Sequence, residues 1–416
     1  MVLAPILLLV LFLSTAAAVT ARPWRVPAGW WPLAAVALGL TSGLLSFGTA
    51  ADGLISSLDV LAFFAGLLLL AVAVRHSGWM GWVLDRAEAW SRGDPRRLLL
   101  AVAAATVVVT GLLSNDAAAL VLAPAVFQRL ESRRLPIPAF ALTMAFSANA
   151  ASTLLPISNP VNLLILDRSH LALGSYMQVV SAPALVAVVI TTWACLAWTG
   201  RLLPLPAQAP LKVAAVEHCH PGLSRLGFLV GMLILTDVAF AAFHLPIGPA
   251  TLAAGGLAAL TVRRESGALG WLRSPGWSIL GLVAGFSILA SGLAQSGWLA
   301  GVAGGLPLRG LGWLGALSVG LVTALISGGI NNLPGALLVT AGLHSAHHLG
   351  GLALNVIVGA DLGPNLAPFG SLSTILILAA ARRHGQPVPW GQILRLGLAV
   401  GPIALLPTIC LVALGH

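Results

Sequence analysis

Residues 148–165 read ANAASTLLPISNPVNLLI, and residues 360–377 read ADLGPNLAPFGSLSTILI. Laid over each other without a gap, they match polar to polar and proline to proline. Asn149 falls on Asp361, Thr153 on Asn365, Pro156 on Pro368, Asn159 on Ser371 and Asn162 on Thr374. A chain that elsewhere avoids polar side chains repeats them in register when a structural unit, and its polar site, has been duplicated. Two further pairs follow in the same order: RHSGWM (75–80) over AQSGWL (294–299), and SNDAAALVL (114–122) over INNLPGALL (330–338). The duplicated unit therefore runs through three segments, with small loop deletions between them.

Composition says where such a unit lives. Hydrophobic residues make up 58% of the 416 and charged ones 8%, which fits repeated bilayer crossings and not a soluble fold. The formal charge of +9 sits in short loops between apolar runs. Nucleic-acid binding, which gathers basic residues and aromatics on one soluble face, is not expected. The first run, 2–20, lacks the basic start of a signal peptide and reads as a first span. Cys195 and Cys410 lie in apolar runs and only Cys219 in a loop, so no disulfide framework is implied.

A crossing takes about 20 mostly apolar residues. Ten segments qualify: 2–20, 27–48, 54–74, 138–166, 172–200, 223–243, 246–262, 276–294, 350–381 and 391–413. Two others, 98–131 and 311–343, are apolar runs interrupted by Ser114-Asn115-Asp116 and by Asn331-Asn332. Their arms, at roughly 20–27 Å as helix, fall short of a hydrocarbon core about 30 Å thick. They read as re-entrant hairpins whose tips stop inside the protein, where irregular backbone is tolerated. Helices 138–166 and 350–381 are interrupted around Pro156 and Pro160 and around Gly363, Pro364 and Pro368.

Following the chain through these crossings places every Lys and Arg of the 21 on one side except Arg168 and Arg309. The positive-inside rule makes that side cytoplasmic and both termini external, in a cell (inner) membrane. The two units then enter from opposite faces. The expected fold is an all-α polytopic membrane protein of inverted repeats, with about ten spans, two re-entrant hairpins and two broken helices. Residues 1–53 form N-terminal scaffold helices, 54–170 the first repeat, 171–273 linking helices, 274–383 the second repeat and 384–416 a C-terminal helix. Inverted repeats with broken helices are a transporter architecture, with the site near the midplane where the units meet.

Four interrupted elements should converge there. Amides and hydroxyls supply donors and acceptors without net charge, which suits a small neutral polyhydroxy solute or a dehydrated cation. No Arg or Lys lies within the four motifs to serve a di- or tricarboxylate. A carboxyl in mid-membrane costs about 2.5–3.5 kcal/mol on insertion scales, so Asp116 and Asp361 are candidate proton carriers. Ser158, Ser371 and Ser373 read equally well as caps for loose backbone groups. Asp52, Asp59 and Asp237 lie near the external mouth and read as interfacial. Glu217-His218-Cys219-His220 lacks the second cluster that a structural metal site needs and reads as a loop. His344, His347 and His348 receive no role, and no metal or cofactor is expected. Residues 80–94, with Trp79 beside them and alternating charges, read as an amphipathic helix on the cytoplasmic interface.

The segments LLSNDAAALVLAP (112–124), NNLPGALLV (331–339) and NVIVGADLGPNLAPFGSLSTIL (355–376) resemble the arsenite efflux permease (ArsB) family of the ion transporter superfamily. The likeness covers nearly the whole chain from about residue 58. It implies proton-driven export of trivalent arsenic and antimony as neutral hydroxides, and in some members work with an ArsA-type ATPase. On that reading Asn115, Asn149, Thr153, Asn159, Asn162, Asn331, Asn332, Asn365, Ser371 and Thr374 bind substrate, and Asp116 and Asp361 exchange the proton. Where the family commonly has an acid in the first break this chain has Asn149, and the usual Ser-Asn-Leu-Val-Asn reads Ser158-Asn159-Pro160-Val161-Asn162. The rivals are a Na⁺/H⁺ antiporter on the same scaffold and a silicate or borate exporter. An enzyme is not expected, since no H-E-x-x-H or G-x-S-x-G pattern lies in the spans.

Overall fold

The computed structural model describes residues 3–21, 26–203, 227, 231, 246–261, 277–299, 301 and 312–415. The expected span 223–243, Asp237 and the Glu217–His220 loop lie outside the described residues. Among the described residues every regular element is helical, and eight helices are long and apolar enough to cross a membrane.

Scaffold helices open the chain: α1 (Leu3–Ala21), α2 (Trp30–Thr41) and α3 (Phe47–Ile55). The expected single crossing at 27–48 is corrected here. Helix α2 stops after 12 residues, about 18 Å. Gly43, at φ +74°, turns the chain, and the Ser46 hydroxyl then caps α3 by accepting from the Thr49 N–H at 3.0 Å. Two short helices replace one span because a left-handed glycine and an N-cap serine sit in the middle of the apolar run.

The first repeat follows: α4 (Leu58–His76), the short helix α5 (Trp79–Ser91), then a hairpin. Its entry arm is α6 (Pro95–Leu112), started by Asp94 as N-cap and Pro95 in the first turn. The tip is one helical turn, Asn115–Ala117, running through a π-helical stretch, Ala118–Leu122, into the return arm α7 (Ala123–Ser132). The broken helix is α8 (Ile137–Ala151), an irregular stretch with a single 3-10 turn at Pro156–Ser158, and α9 (Pro160–Ser169). Helices α10 (Leu173–Thr199) and α11 (Ile247–Thr261) link to the second repeat.

The second repeat copies the order. Helix α12 (Ser278–Gln295) leads to the hairpin α13 (Trp313–Ile330) and α14 (Asn332–Ser345). The second broken helix is α15 (Leu349–Leu362), a 3-10 turn at Gly363–Leu366, and α16 (Leu372–Arg383). Helix α17 (Trp390–Leu414) closes the chain. The second arms, helical from Asn115 to Ser132 in the first hairpin and over the 14 residues of α14 in the second, reach about 21–27 Å, short of a hydrocarbon core about 30 Å thick.

Burial sorts these helices into layers. From Ala139 to Ala151 every residue of α8 is buried, and so is every residue of α15 from Ala353 to Leu362. A helix apolar and buried all round belongs at the centre, and the two first halves of the broken helices occupy it. Helices α1, α10 and α17 turn Leu7, Val10, Leu185, Val189, Leu398 and Leu411 outward, as lipid-facing helices do. The repeats are matched even in their tightest contacts. Gly66 on α4 and its counterpart Gly285 on α12 both lie where a Cβ would collide, with the Thr251 carbonyl oxygen at 2.3 Å and with Pro32 Cβ at 2.4 Å. Each repeat thus presses its first helix onto one linker or scaffold helix through a glycine.

Candidate functional site

Each broken helix ends its first half on a polar side chain, Asn149 in α8 and Asp361 in α15, and both are buried. The Asn149 amide donates to Asn365 Oδ1 and Thr374 Oγ1, each at 3.0 Å. The Asp361 carboxylate accepts from Asn159 Nδ2 at 2.5 Å and from Asn162 Nδ2 at 3.0 Å. The repeat pairs Asn149 with Asp361 and Asn162 with Thr374, so the bonds Asn149–Thr374 and Asn162–Asp361 are images of each other. Six of the twelve candidate residues form this one cross-repeat seam: Asn149, Asn159, Asn162, Asp361, Asn365 and Thr374. Ser371 joins through Ser373, which bonds it at 2.7 Å and donates to Asn149 Oδ1 at 3.4 Å.

Local chemistry explains the aim of these groups. Asn159 is extended, at φ −148° and ψ 134°, and its Oδ1 caps α9 by accepting from the Val161 N–H at 3.2 Å, with Pro160 next. The cap fixes the carbonyl end of the amide and leaves the NH₂ end facing Asp361. Asn162, one turn along α9, divides its NH₂ between Asp361 and the Ser152 carbonyl at 2.9 Å. The capping and the site readings therefore describe the same amide.

The remaining candidates sit around the seam. Asn331 Nδ2 donates to the Phe369 carbonyl at 3.3 Å, and the Asn332 N–H donates to the Gly370 carbonyl at 2.7 Å, docking the second hairpin tip on its own repeat's break. The Asn332 side chain turns back to the Leu333 N–H at 2.9 Å. In the first repeat the Ser158 hydroxyl makes the matching tie, to the Gly111 carbonyl at 3.0 Å. Asn115 and Asp116 are buried at the first tip, and Asn115 Oδ1 has no hydrogen-bond partner among the described residues. Thr153 stands apart: its hydroxyl donates to the Ala150 carbonyl at 2.6 Å. Sequence reasoning missed Tyr176, fully buried on α10, whose hydroxyl donates to the Thr153 carbonyl at 2.7 Å. It is the only tyrosine in the chain, and that rarity was the available signal.

Three amide oxygens of the candidate residues, Asn115 Oδ1, Asn162 Oδ1 and Asn331 Oδ1, are buried with no donor among the described residues. No Arg or Lys hydrogen-bonds to any seam side chain among the described residues. Orphaned buried oxygens call for a donor, which an internal water, a ligand bearing O–H groups or a positive ion supplies.

Clefts line the return arms of the hairpins and the second halves of the broken helices. Cleft A, about 480 Å³, is walled by α12 and by Thr340, Ala341, His344 and Ser345 of α14. Cleft B, about 590 Å³, includes Pro124, Ala125, Gln128 and Arg129 of α7, the repeat counterparts of those four residues. A second pair is related in the same way, Leu163, Leu166, Asp167 and His170 in one cleft and Ile375, Leu378, Ala379 and Arg382 in the other. Because the hairpins enter from opposite faces, each pair opens to both. The seam between them is shut, with Asn149 2% and Asp361 0% exposed. Among the described residues no group of three His, Cys, Asp or Glu side chains is placed to hold a metal ion.

Residues 9–363 match the model of the CitMHS family, described as "Citrate transporter", which is well over half of the chain. The chain belongs to this family. Among relatives of this CitMHS member are the arsenical pump membrane proteins of Escherichia coli, 27% identical over 97% of both chains, and of Yersinia enterocolitica, 28% identical over 94% of this chain and 95% of that one. An uncharacterized transporter of Mycobacterium tuberculosis is 25% identical over 83% of this chain and 84% of its own length. The fold is shared with the YdaH transporter of Alcanivorax borkumensis, whose crystal structure has a TM-score of 0.56 at 18% identity, covering 88% of this chain and 87% of that one. The CitMHS member is a multi-pass membrane transporter, and the resemblance to arsenite efflux permeases read from its motifs holds over nearly its full length.

Proposed function

We propose that this transporter exports small neutral trivalent metalloid hydroxides, arsenite and antimonite, from the cytoplasm across the cell (inner) membrane, with both termini external, in exchange for protons and by alternating access. The observation that carries the reading is the amide-lined seam, free of cation partners among the described residues, with an orphaned amide oxygen at Asn162 within it and two more at Asn115 and Asn331 on the hairpin tips beside it. A trihydroxide offers three O–H donors to those acceptors, and the NH₂ groups of Asn149, Asn159 and Asn162 would turn toward its oxygens. A citrate-like trianion would need cations at the seam, whereas Arg168, Arg75 and Arg129 line the clefts. In this reading Asp361 carries the proton, because protonating it weakens its grip on Asn159 and Asn162 and loosens α9 from α15. Asp116 would exchange protons at the first tip.

Everted membrane vesicles loaded with an imposed pH gradient, acid inside, test this directly. Arsenite should accumulate with wild-type protein, and Asp361→Asn should lower accumulation by about a hundredfold, the loss of a charged hydrogen-bonding group worth roughly 3 kcal/mol. Accumulation unaffected by the pH gradient, or by the mutation, would remove the proton from the mechanism. The same orphaned carbonyls would also suit a dehydrated sodium ion, and sodium-dependent pH changes in metalloid-free proteoliposomes are the outcome that favours a Na⁺/H⁺ antiporter.

A further inference from the structure

Clefts A and B are images of one another, so whatever distinguishes their surroundings distinguishes the two faces of the transporter. The difference lies in buried polar groups. On the cleft A side, Ser287 on α12, Thr340 on α14 and Asn355 on α15 are fully buried. Among the described residues their hydroxyl and amide groups have no hydrogen-bond partner, and for Asn355 this is true of both Oδ1 and Nδ2. Thr340 is part of the wall of cleft A. Asn355 lies six residues before Asp361 on the same helix, about 9 Å along the axis. Helix α14 packs against both α12 and α15.

The repeat counterparts of these residues are Leu68, Pro124 and Thr143. Two are apolar. The third, Thr143, is satisfied by the Ala139 carbonyl and by Thr199, each at 3.0 Å. Orphaned groups occur on this side too, at Thr110 on α6, Asn115 at the first tip and Thr191 on α10, but none of them is among the residues lining cleft B.

An orphaned polar group inside a protein is costly, and the usual remedy is an ordered internal water making two to four hydrogen bonds. Three such groups on adjacent helices, one in the wall of an open cleft and one on the helix of the buried carboxylate, outline a route. Six residues are about 1.7 turns of helix, so Asn355 and Asp361 project from different sides of α15 and a file of waters joining them passes around it. We infer that Thr340 and Asn355 hold a one-sided file of internal waters that carries protons between cleft A and Asp361, with no equivalent from cleft B. On the proposed orientation cleft A is external, so the file admits protons from outside only. This rests on the proton-coupled reading above and adds to it the route and its sidedness.

Two assays on reconstituted protein separate the inference from the reading beneath it. Arsenite counterflow at equal pH needs no net proton movement; arsenite accumulation driven by a pH gradient does. Asn355→Leu keeps the side-chain volume and removes both polar atoms. It should leave counterflow unchanged and lower gradient-driven accumulation about tenfold, the scale of one lost polar contact. The isosteric Thr340→Val should show the same split and carries the test if Asn355→Leu does not assemble. Thr143→Val, at the repeat counterpart, should alter neither rate. Wild-type accumulation in both Asn355→Leu and Thr340→Val overturns the file. So does a parallel loss of counterflow, which makes these residues structural. The same split in Thr143→Val overturns the one-sidedness. Wild-type protein indifferent to the pH gradient sinks proton coupling itself, and the file with it.

Discussion

Asn331 sits at the tip of the second hairpin with φ +85°, a backbone region where a side chain costs of order 1–3 kcal/mol. The first tip begins on Ser114, which is extended at φ 170° and is not strained, and the repeat counterpart of Asn331, Asn115, lies within the helical turn that follows. The strain is held by two bonds, the Asn331 amide to the Phe369 carbonyl and the Asn332 N–H to the Gly370 carbonyl. Asn331→Gly should therefore keep or raise the melting temperature in detergent, while Asn331→Ala, which loses the amide and keeps the strain, should melt lower. Both variants should lose arsenite accumulation, since the orphaned oxygen disappears in each. A melting order with Ala above Gly would mean that the tip is not strained in the membrane. The seam itself pairs an amide with a carboxylate across the pseudo-two-fold. Asn149→Asp should be tolerated, because Thr374 can reverse its hydroxyl and Asn365 can turn its amide to donate to the new carboxylate.

At the scale of elements, stability rests on close helix contacts that leave no room for a side chain. Gly285→Leu would drive a Cβ into Pro32 and separate α12 from α2. The expected loss is about 1–3 kcal/mol, the usual cost of overpacking, read as a lower melting temperature with transport impaired in proportion to the folded fraction. Helix α5 adds a polar clamp. It is helical over Trp79–Ser91, with Arg86 above the Trp82 ring, as an interface helix would be. Yet Glu88 is 5% exposed and pairs with both Arg129 at 3.3 Å and Arg133, while Asp85 holds Arg129 at 2.8 Å. This helix is fastened to the return arm of the first hairpin as well as lying along the surface. Glu88→Leu would leave two part-buried guanidinium groups with weaker compensation. The expected cost is up to about 3 kcal/mol, measured by thermal melting, and Arg133→Leu in the same background should recover part of it.

For the whole molecule, the paired clefts make a prediction that neither repeat makes alone. If the shut seam is one state of an alternating cycle, clefts A and B must widen in turn. Single cysteines at the counterpart positions Gln128 and His344, with Cys195, Cys219 and Cys410 replaced by alanine, would report this through the rate of maleimide labelling. Adding arsenite should change the two rates in opposite directions; a change of the same sign at both would rule out alternation between these clefts.

The duplication, the membrane class, the two hairpins and the positions of both breaks were legible in the sequence, because each follows from local rules. Apolar length sets a span, proline and glycine end a helix, and a polar residue in an apolar run is too costly to be incidental. Even the half-length α2 had its signals in Gly43 and Ser46, hidden by the apolar residues around them. Tertiary structure alone decided which polar residues meet. Thr153 and Asn365 are repeat counterparts, yet one hydroxyl turns to its own helix and the other amide crosses to Asn149. Tyr176 and Asn355 acquired meaning only from what surrounds them. A hydrogen bond between residues some 200 positions apart depends on how two repeats rotate against each other, and that rotation is set by the sum of many apolar contacts, none of which is written at the residues that meet.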